Sequence, residues 1–201
     1  MIQGVTIFNT ISSIALFLGF SLGIVLMFKQ APRQRANLFL GIILIYIASY
    51  FLAGHIWGAR LIEYVPHTIQ IGVYFVLGLG PMMYLYARAS TEKDFKMKPV
   101  DWLHFVPLVL DLIYSYPSIT ASGAEKIAIL EKYLKEGSYS VSIAHSLFKA
   151  IPLVIYYVLT LRIVYQYRDH LKNTVSYIDN IYHRWLIFFS SVLLLPVAGL
   201  L

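Results

Sequence analysis

Two ionisable side chains interrupt long apolar runs in this 201-residue chain: Asp111, within LVLDLIYSY, and Lys149, within HSLFKAIPL. A charge inside such a run is costly in lipid, so it faces a partner, a wet cavity or the bundle interior. A carboxylate and an ammonium at matching depth could pair, tie two helices together, or line a path for a solute. His145 lies one turn from Lys149, and Tyr114 and Ser115 lie about one turn from Asp111. These five residues form a candidate polar pocket. The alternative is that Lys149 snorkels to the interface while Asp111 is protonated or bonds to a neighbouring helix. Little else carries chemistry. There is no His-Glu-x-x-His, no Gly-x-Ser-x-Gly and no phosphate-binding loop. There are no cysteines, and the six histidines are scattered. His55, His67, His104, His170 and His183 read as hydrogen-bonded side chains near helix ends. No metal, cofactor or catalytic residue is expected.

The elements that must hold these groups follow from composition. Hydrophobic residues make up 59% of the chain and charged residues 13%, and mean hydropathy is +0.69. Those values exclude disorder and an ordinary soluble enzyme. About 20 apolar residues cross the hydrocarbon core. Six apolar segments, over 5–28, 37–57, 68–89, 102–119, 141–165 and 185–201, therefore predict an all-α membrane protein with six transmembrane helices. Between them, 120–140 is the longest connection. Ile127, Leu130, Tyr133 and Leu134 predict a short amphipathic helix over 124–136, with Glu125, Lys126, Glu131, Lys132, Lys135 and Glu136 on its polar face.

Loop charges give orientation. Lys29, Arg33, Arg35, Arg88, Lys93, Lys96, Lys98, Arg162, Arg168, Lys172 and Arg184 fall on one side, and Arg60, Lys126, Lys132 and Lys135 on the other. The larger set marks the cytoplasm and puts the N-terminus outside. The net charge of +6 then orients the chain. The basic loops face anionic lipid more readily than DNA. Asp111 and Lys149 each sit eight residues from the outer end of their segment, about 12 Å down at 1.5 Å per residue. Consecutive antiparallel helices are neighbours as a rule, so the two groups can meet in a pocket open to the outside.

The third segment carries Gly72, Gly78, Gly80 and Pro81. Pro81 deprives a carbonyl one turn back of its donor, so Gly78, Gly80 and Pro81 form a candidate hinge, or a bend that serves packing. Many of the 16 tyrosines, among them Tyr46, Tyr50, Tyr84, Tyr86, Tyr165 and Tyr167, lie near segment ends and read as an aromatic belt. The chain ends in LLLPVAGLL without a polar flank, which predicts a C-terminal truncation.

The stretch from Gly80 to Leu110, GPMMYLYARASTEKDFKMKPVDWLHFVPLVL, resembles the membrane-embedded N-terminal domain of AraC-type helix-turn-helix transcription regulators from Bacteroidetes. Gly80, Pro81, Tyr84 and Tyr86 match a Gly-Pro-x-x-Tyr-x-Tyr element, and His104, Phe105 and Pro107 match a His-Phe-x-Pro element. RANLFLGIILI and the region running to Trp185 and Leu186 also resemble the family's pattern. The resemblance implies seven transmembrane helices in the bacterial inner membrane, followed by a cytoplasmic DNA-binding domain.

The expected function is a sensory input domain with no enzymatic activity. Its expected partners are the lipid bilayer, a small ligand of unknown identity, a second copy in a homodimer, and nucleic acid only through the missing C-terminal domain. The alternatives are a small transporter or channel, or an anchor without a sensing role. An integral-membrane enzyme would need clustered histidines or carboxylates at one membrane face.

Overall fold

A computed structural model describes residues 2–29, 34–58, 61–68, 71–136 and 143–172, together with Ile187, Phe188 and Ser191. Among these residues the chain is α-helical, with two short 3-10 turns and no strand. The first helix, α1 (Ile2–Phe28), has no charged residue along its length. Its large side chains, including Ile11, Phe17, Leu22 and Phe28, are exposed. A helix apolar on every side has lipid as its solvent. It ends where the Lys29 amide donates to the Val25 carbonyl, three residues before Pro32, which cannot donate to continue the ladder.

The second helix, α2 (Gln34–Gly58), lies against α1 at close range. Gly19 and Gly23, four positions apart on α1, face Ala48, Ile45 and Gly41. A Cβ on Gly41 would fall 2.6 Å from the Gly23 carbonyl oxygen and 2.7 Å from Met27 Cγ. Small residues at this spacing let helix backbones approach in a membrane, where packing replaces the hydrophobic effect. Ser12 Oγ and His55 Nδ1, 3.2 Å apart, pin one end of the pair.

The segment expected as one helix over 68–89 is broken. A short α3 (Ile71–Tyr74) precedes α4 (Val76–Thr91). Phe75 has φ −103° and ψ 4°, a bridge conformation that interrupts a helix. The Gly78 amide then takes the Phe75 carbonyl in a tighter turn. The interruption therefore falls at Phe75, and Pro81 lies within the continuous helix α4. Tertiary contacts account for this position. The Tyr46 hydroxyl donates to the Gly72 carbonyl at 2.6 Å, and the Tyr74 hydroxyl lies 3.0 Å from Ser118 Oγ.

α4 runs through the centre. Leu77, Leu79, Met83, Leu85, Tyr86 and Ala87 are all buried. They meet Phe39 and Ile43 of α2 and, on the other flank, Val164 and Leu153 of α7 (Ile143–Lys172). The segment expected from residue 102 begins instead as a 3-10 turn, Pro99–Phe105, which leads into α5 (Val106–Thr120). The amphipathic helix is α6 (Gly123–Glu136). Its start is a capping box. The Ser122 amide donates to Glu125 Oε2 at 2.7 Å, and the Glu125 amide donates to Ser122 Oγ at 3.3 Å. The Ser122 amide and the Ser122 hydroxyl, which donates to the same Oε2 at 2.8 Å, hold the exposed Glu125 carboxyl below its usual range.

Lys126 departs from the expected polar face of α6. It is buried, and its Nζ donates to the Ile119 carbonyl at 2.9 Å and lies 3.3 Å from His67 Nδ1. The carbonyl end of α5 is an acceptor site that attracts a cation, and it draws this lysine inward. The tyrosines differ too. Tyr74, Tyr86 and Tyr156 are buried in the bundle, whereas Tyr50 and Tyr165 stay exposed as a belt requires.

Among the described residues, three helical stretches are long and apolar enough to cross a membrane: Thr10–Phe28, Gln34–Ile56 and Ile143–Tyr167. By contrast α4 and α5 have 16 and 15 residues. The last expected segment, 185–201, lies outside the described residues except for Ile187, Phe188 and Ser191, and of these Ile187 packs on the central core.

Candidate functional site

Asp111 sits mid-way along α5 with its carboxyl fully buried. Two α7 side chains, four residues apart and therefore on one face, converge on it. His145 Nε2 is 2.7 Å from Asp111 Oδ1, and Lys149 Nζ is 3.2 Å from Oδ2. The Lys149 side chain is 5% exposed, so it turns inward to the carboxylate and does not snorkel to the surface. Its approach to Oδ2 is an ion-pair contact that lies off the axis of a hydrogen bond. The short His145–Asp111 contact is a hydrogen bond whose donor is set by the histidine tautomer.

The triad bridges a gap. α7 packs closely on α4, while α5 stands further off. The long lysine and the imidazole span the distance that the backbones leave. His145 is 21% exposed and forms the rim. The Tyr114 ring, itself exposed, lies against it with centroids 4.7 Å apart. Ser115 is buried one turn along α5. All five expected residues thus fall in one region. Asp111, His145 and Lys149 are in direct contact, Tyr114 covers the rim, and Ser115 borders the region.

Both glycines of the candidate hinge lie in packed contacts. A Cβ at Gly78 would lie 3.2 Å from Leu108 Cδ2, and one at Gly80 would lie 2.8 Å from Tyr156 Cδ2. Gly80 admits the Tyr156 side chain close against α4. The phenol then reaches His104, with Tyr156 Oη 2.9 Å from His104 Nδ1. The Tyr84 ring closes the group at 5.2 Å from His104. Tyr156 had no signal in the sequence, because a tyrosine in an apolar run looks like any lipid-facing aromatic.

A second ion-pair system joins α4 to the turn before α5. Arg88 donates to Asp101 Oδ1 at 2.7 Å and to Glu92 Oε1 at 2.9 Å. The Lys98 amide donates to Asp101 Oδ2 at 2.7 Å. Burial opposes ionisation of Asp101, but the Lys98 amide and the Arg88 guanidinium outweigh it and hold the carboxyl below its usual range. The guanidinium also lies over the rings of Phe95 and Tyr84, 5.1 and 5.7 Å from their centroids. The four histidines whose side chains are described, His55, His67, His104 and His145, each meet a polar partner.

A shallow groove of about 890 Å³ runs between the end of α5 and α6, lined by Tyr116, Thr120, Glu125 and Ile129 among others. It does not include the triad. Among the described residues no group of three or more histidine, aspartate or glutamate side chains is placed to hold a metal ion. No family model, curated protein or solved structure matches the chain.

Proposed function

We propose that the chain is the membrane-embedded input domain of a transcription regulator. It lies in a bacterial inner membrane, with its N-terminus outside and its helices part of a seven-helix bundle. A signal from outside or within the membrane changes how α5 sits against α7. That change passes to a cytoplasmic DNA-binding domain, an element implied by the sequence resemblance alone. The supporting observation is the Asp111–His145–Lys149 triad, a buried polar link between two helices that otherwise barely pack. A ligand shifts such an equilibrium only through different affinities for the two packings. A triad closed by His145 and Tyr114 offers that difference, because contact with either ring alters the link.

The test uses the whole chromosomal gene carrying Asp111→Leu together with Lys149→Met, a pair that removes the charges and keeps the bulk. Protein level is followed by immunoblot and transcripts by RNA sequencing. The expected result is a changed, defined set of transcripts at the wild-type protein level. An unchanged profile, with altered solute uptake instead, would overturn the reading in favour of a transporter.

A further inference from the structure

The 3-10 turn Pro99–Phe105 is clamped from behind and bare in front. Behind it, Asp101 is held by Arg88 and by the Lys98 amide. Phe95, in the preceding loop, is anchored under the Arg88 guanidinium and edge-on to Phe39 at 6.0 Å. In front, Val100, Trp102 and Leu103 are each 64% exposed. The clamp also sorts the charges. Glu92 and Asp101 are both engaged by Arg88, which leaves Lys93, Lys96 and Lys98 exposed with Asp94 the remaining acid between residues 92 and 98. An exposed tryptophan and two aliphatic side chains on a fixed turn suit the membrane–water interface. Lysines beside them suit the phosphates of anionic lipid, each adding attraction near a negative surface.

We propose that this turn and its basic loop form a binding site for anionic phospholipid. Trp102, Val100 and Leu103 enter the boundary between headgroups and acyl chains, and Lys93, Lys96 and Lys98 hold the headgroup phosphates. The site depends on the chain lying in a membrane and not on the signalling role.

The test places the full chain, with Trp57→Phe and Trp185→Phe, in nanodiscs of phosphatidylcholine and phosphatidylglycerol at a fixed ratio of about four to one. In one preparation the phosphatidylglycerol carries brominated acyl chains. In the other an equal amount of the phosphatidylcholine does. The surface charge is therefore the same in both, and quenching of Trp102 reports which lipid is its neighbour. The site predicts at least about twofold stronger quenching by the brominated anionic lipid. It predicts near-equality after Lys93→Gln, Lys96→Gln and Lys98→Gln, or in about 0.5 M salt, where screening is short-ranged. Equal quenching in the unsubstituted loop would overturn the site, leaving general contact with lipid. Quenching by neither lipid would overturn it in favour of an aqueous partner. A preference that survives both the lysine changes and salt would also overturn it. None of these outcomes depends on transcription, so they are distinguishable from failure of the input-domain reading.

Discussion

Two ion-pair systems among the described residues share similar chemistry and are built in opposite ways. The latch of Arg88, Glu92 and Asp101 is local, its partners four and 13 positions apart. Both Asp101 oxygens accept a hydrogen bond, from the Arg88 side chain and from the Lys98 amide. The triad of Asp111, His145 and Lys149 is long-range, joining residues on α5 and α7 that are 34 or more positions apart. Its Oδ2 meets the ammonium without an aligned hydrogen bond. A saturated local latch fixes a turn, whereas a long-range link with spare capacity can be rearranged. The difference separates a part built to hold still from a part that can rearrange.

The largest expected effect comes from breaking the triad on one side. Lys149→Met leaves the Asp111 carboxylate buried and uncompensated, which costs about 3–5 kcal/mol. In detergent the thermal midpoint should fall sharply, and adding Asp111→Leu should recover most of the loss. A single change without effect would make the triad as dispensable as a surface pair.

The latch should respond less, and to acid. Asp101→Asn removes one charged partner and should cost about 1.5–3 kcal/mol. The folded Asp101 carboxyl lies below its usual range. Its stabilisation is therefore complete above the unfolded value of about 3.9 and is lost as pH falls through the folded value. Trp102 emission in the single-tryptophan chain should stay constant from neutrality to about pH 4 and change below it. The asparagine variant should lack that transition, and an identical acid response in both would disconnect the turn from the latch.

The smallest effect belongs to neither system. Lys126→Met removes the donor to the Ile119 carbonyl and should loosen α6 by about 1 kcal/mol. Hydrogen exchange in α6 should then rise about fivefold, with α5 and α7 unchanged. Spread into α7 would mean that α6 is part of the triad's support.

The readable features of the chain were those that depend on local pattern. Apolar length marks α1, α2 and α7, and counting residues from segment ends places Asp111 and Lys149 at one depth. Helical spacing then adds His145 to the same face. What could not be read was set by groups far apart in sequence. The break at Phe75 follows from Tyr46 holding the Gly72 carbonyl and Tyr74 meeting Ser118, neither of which alters the local pattern. Lys126 looks polar by helical spacing, yet a carbonyl 7 residues earlier captures it. The partnership of His104 with Tyr156 spans 52 positions. Gly80 reads as a flexible point until the ring it accommodates is known. The Gly19–Gly23 spacing and the Ser122–Glu125 capping box were present as local signals and point to close packing and a helix start.

Asp111 and Lys149 act as one unit joining α5 to α7. Exchanging the charges tests it most directly. Asp111→Lys, Lys149→Asp and the combined exchange are each produced in the full chain and compared for thermal stability in detergent. Each single variant should be strongly destabilised, and the exchanged chain should recover a substantial part of the loss. An exchanged chain no more stable than either single variant would contradict it.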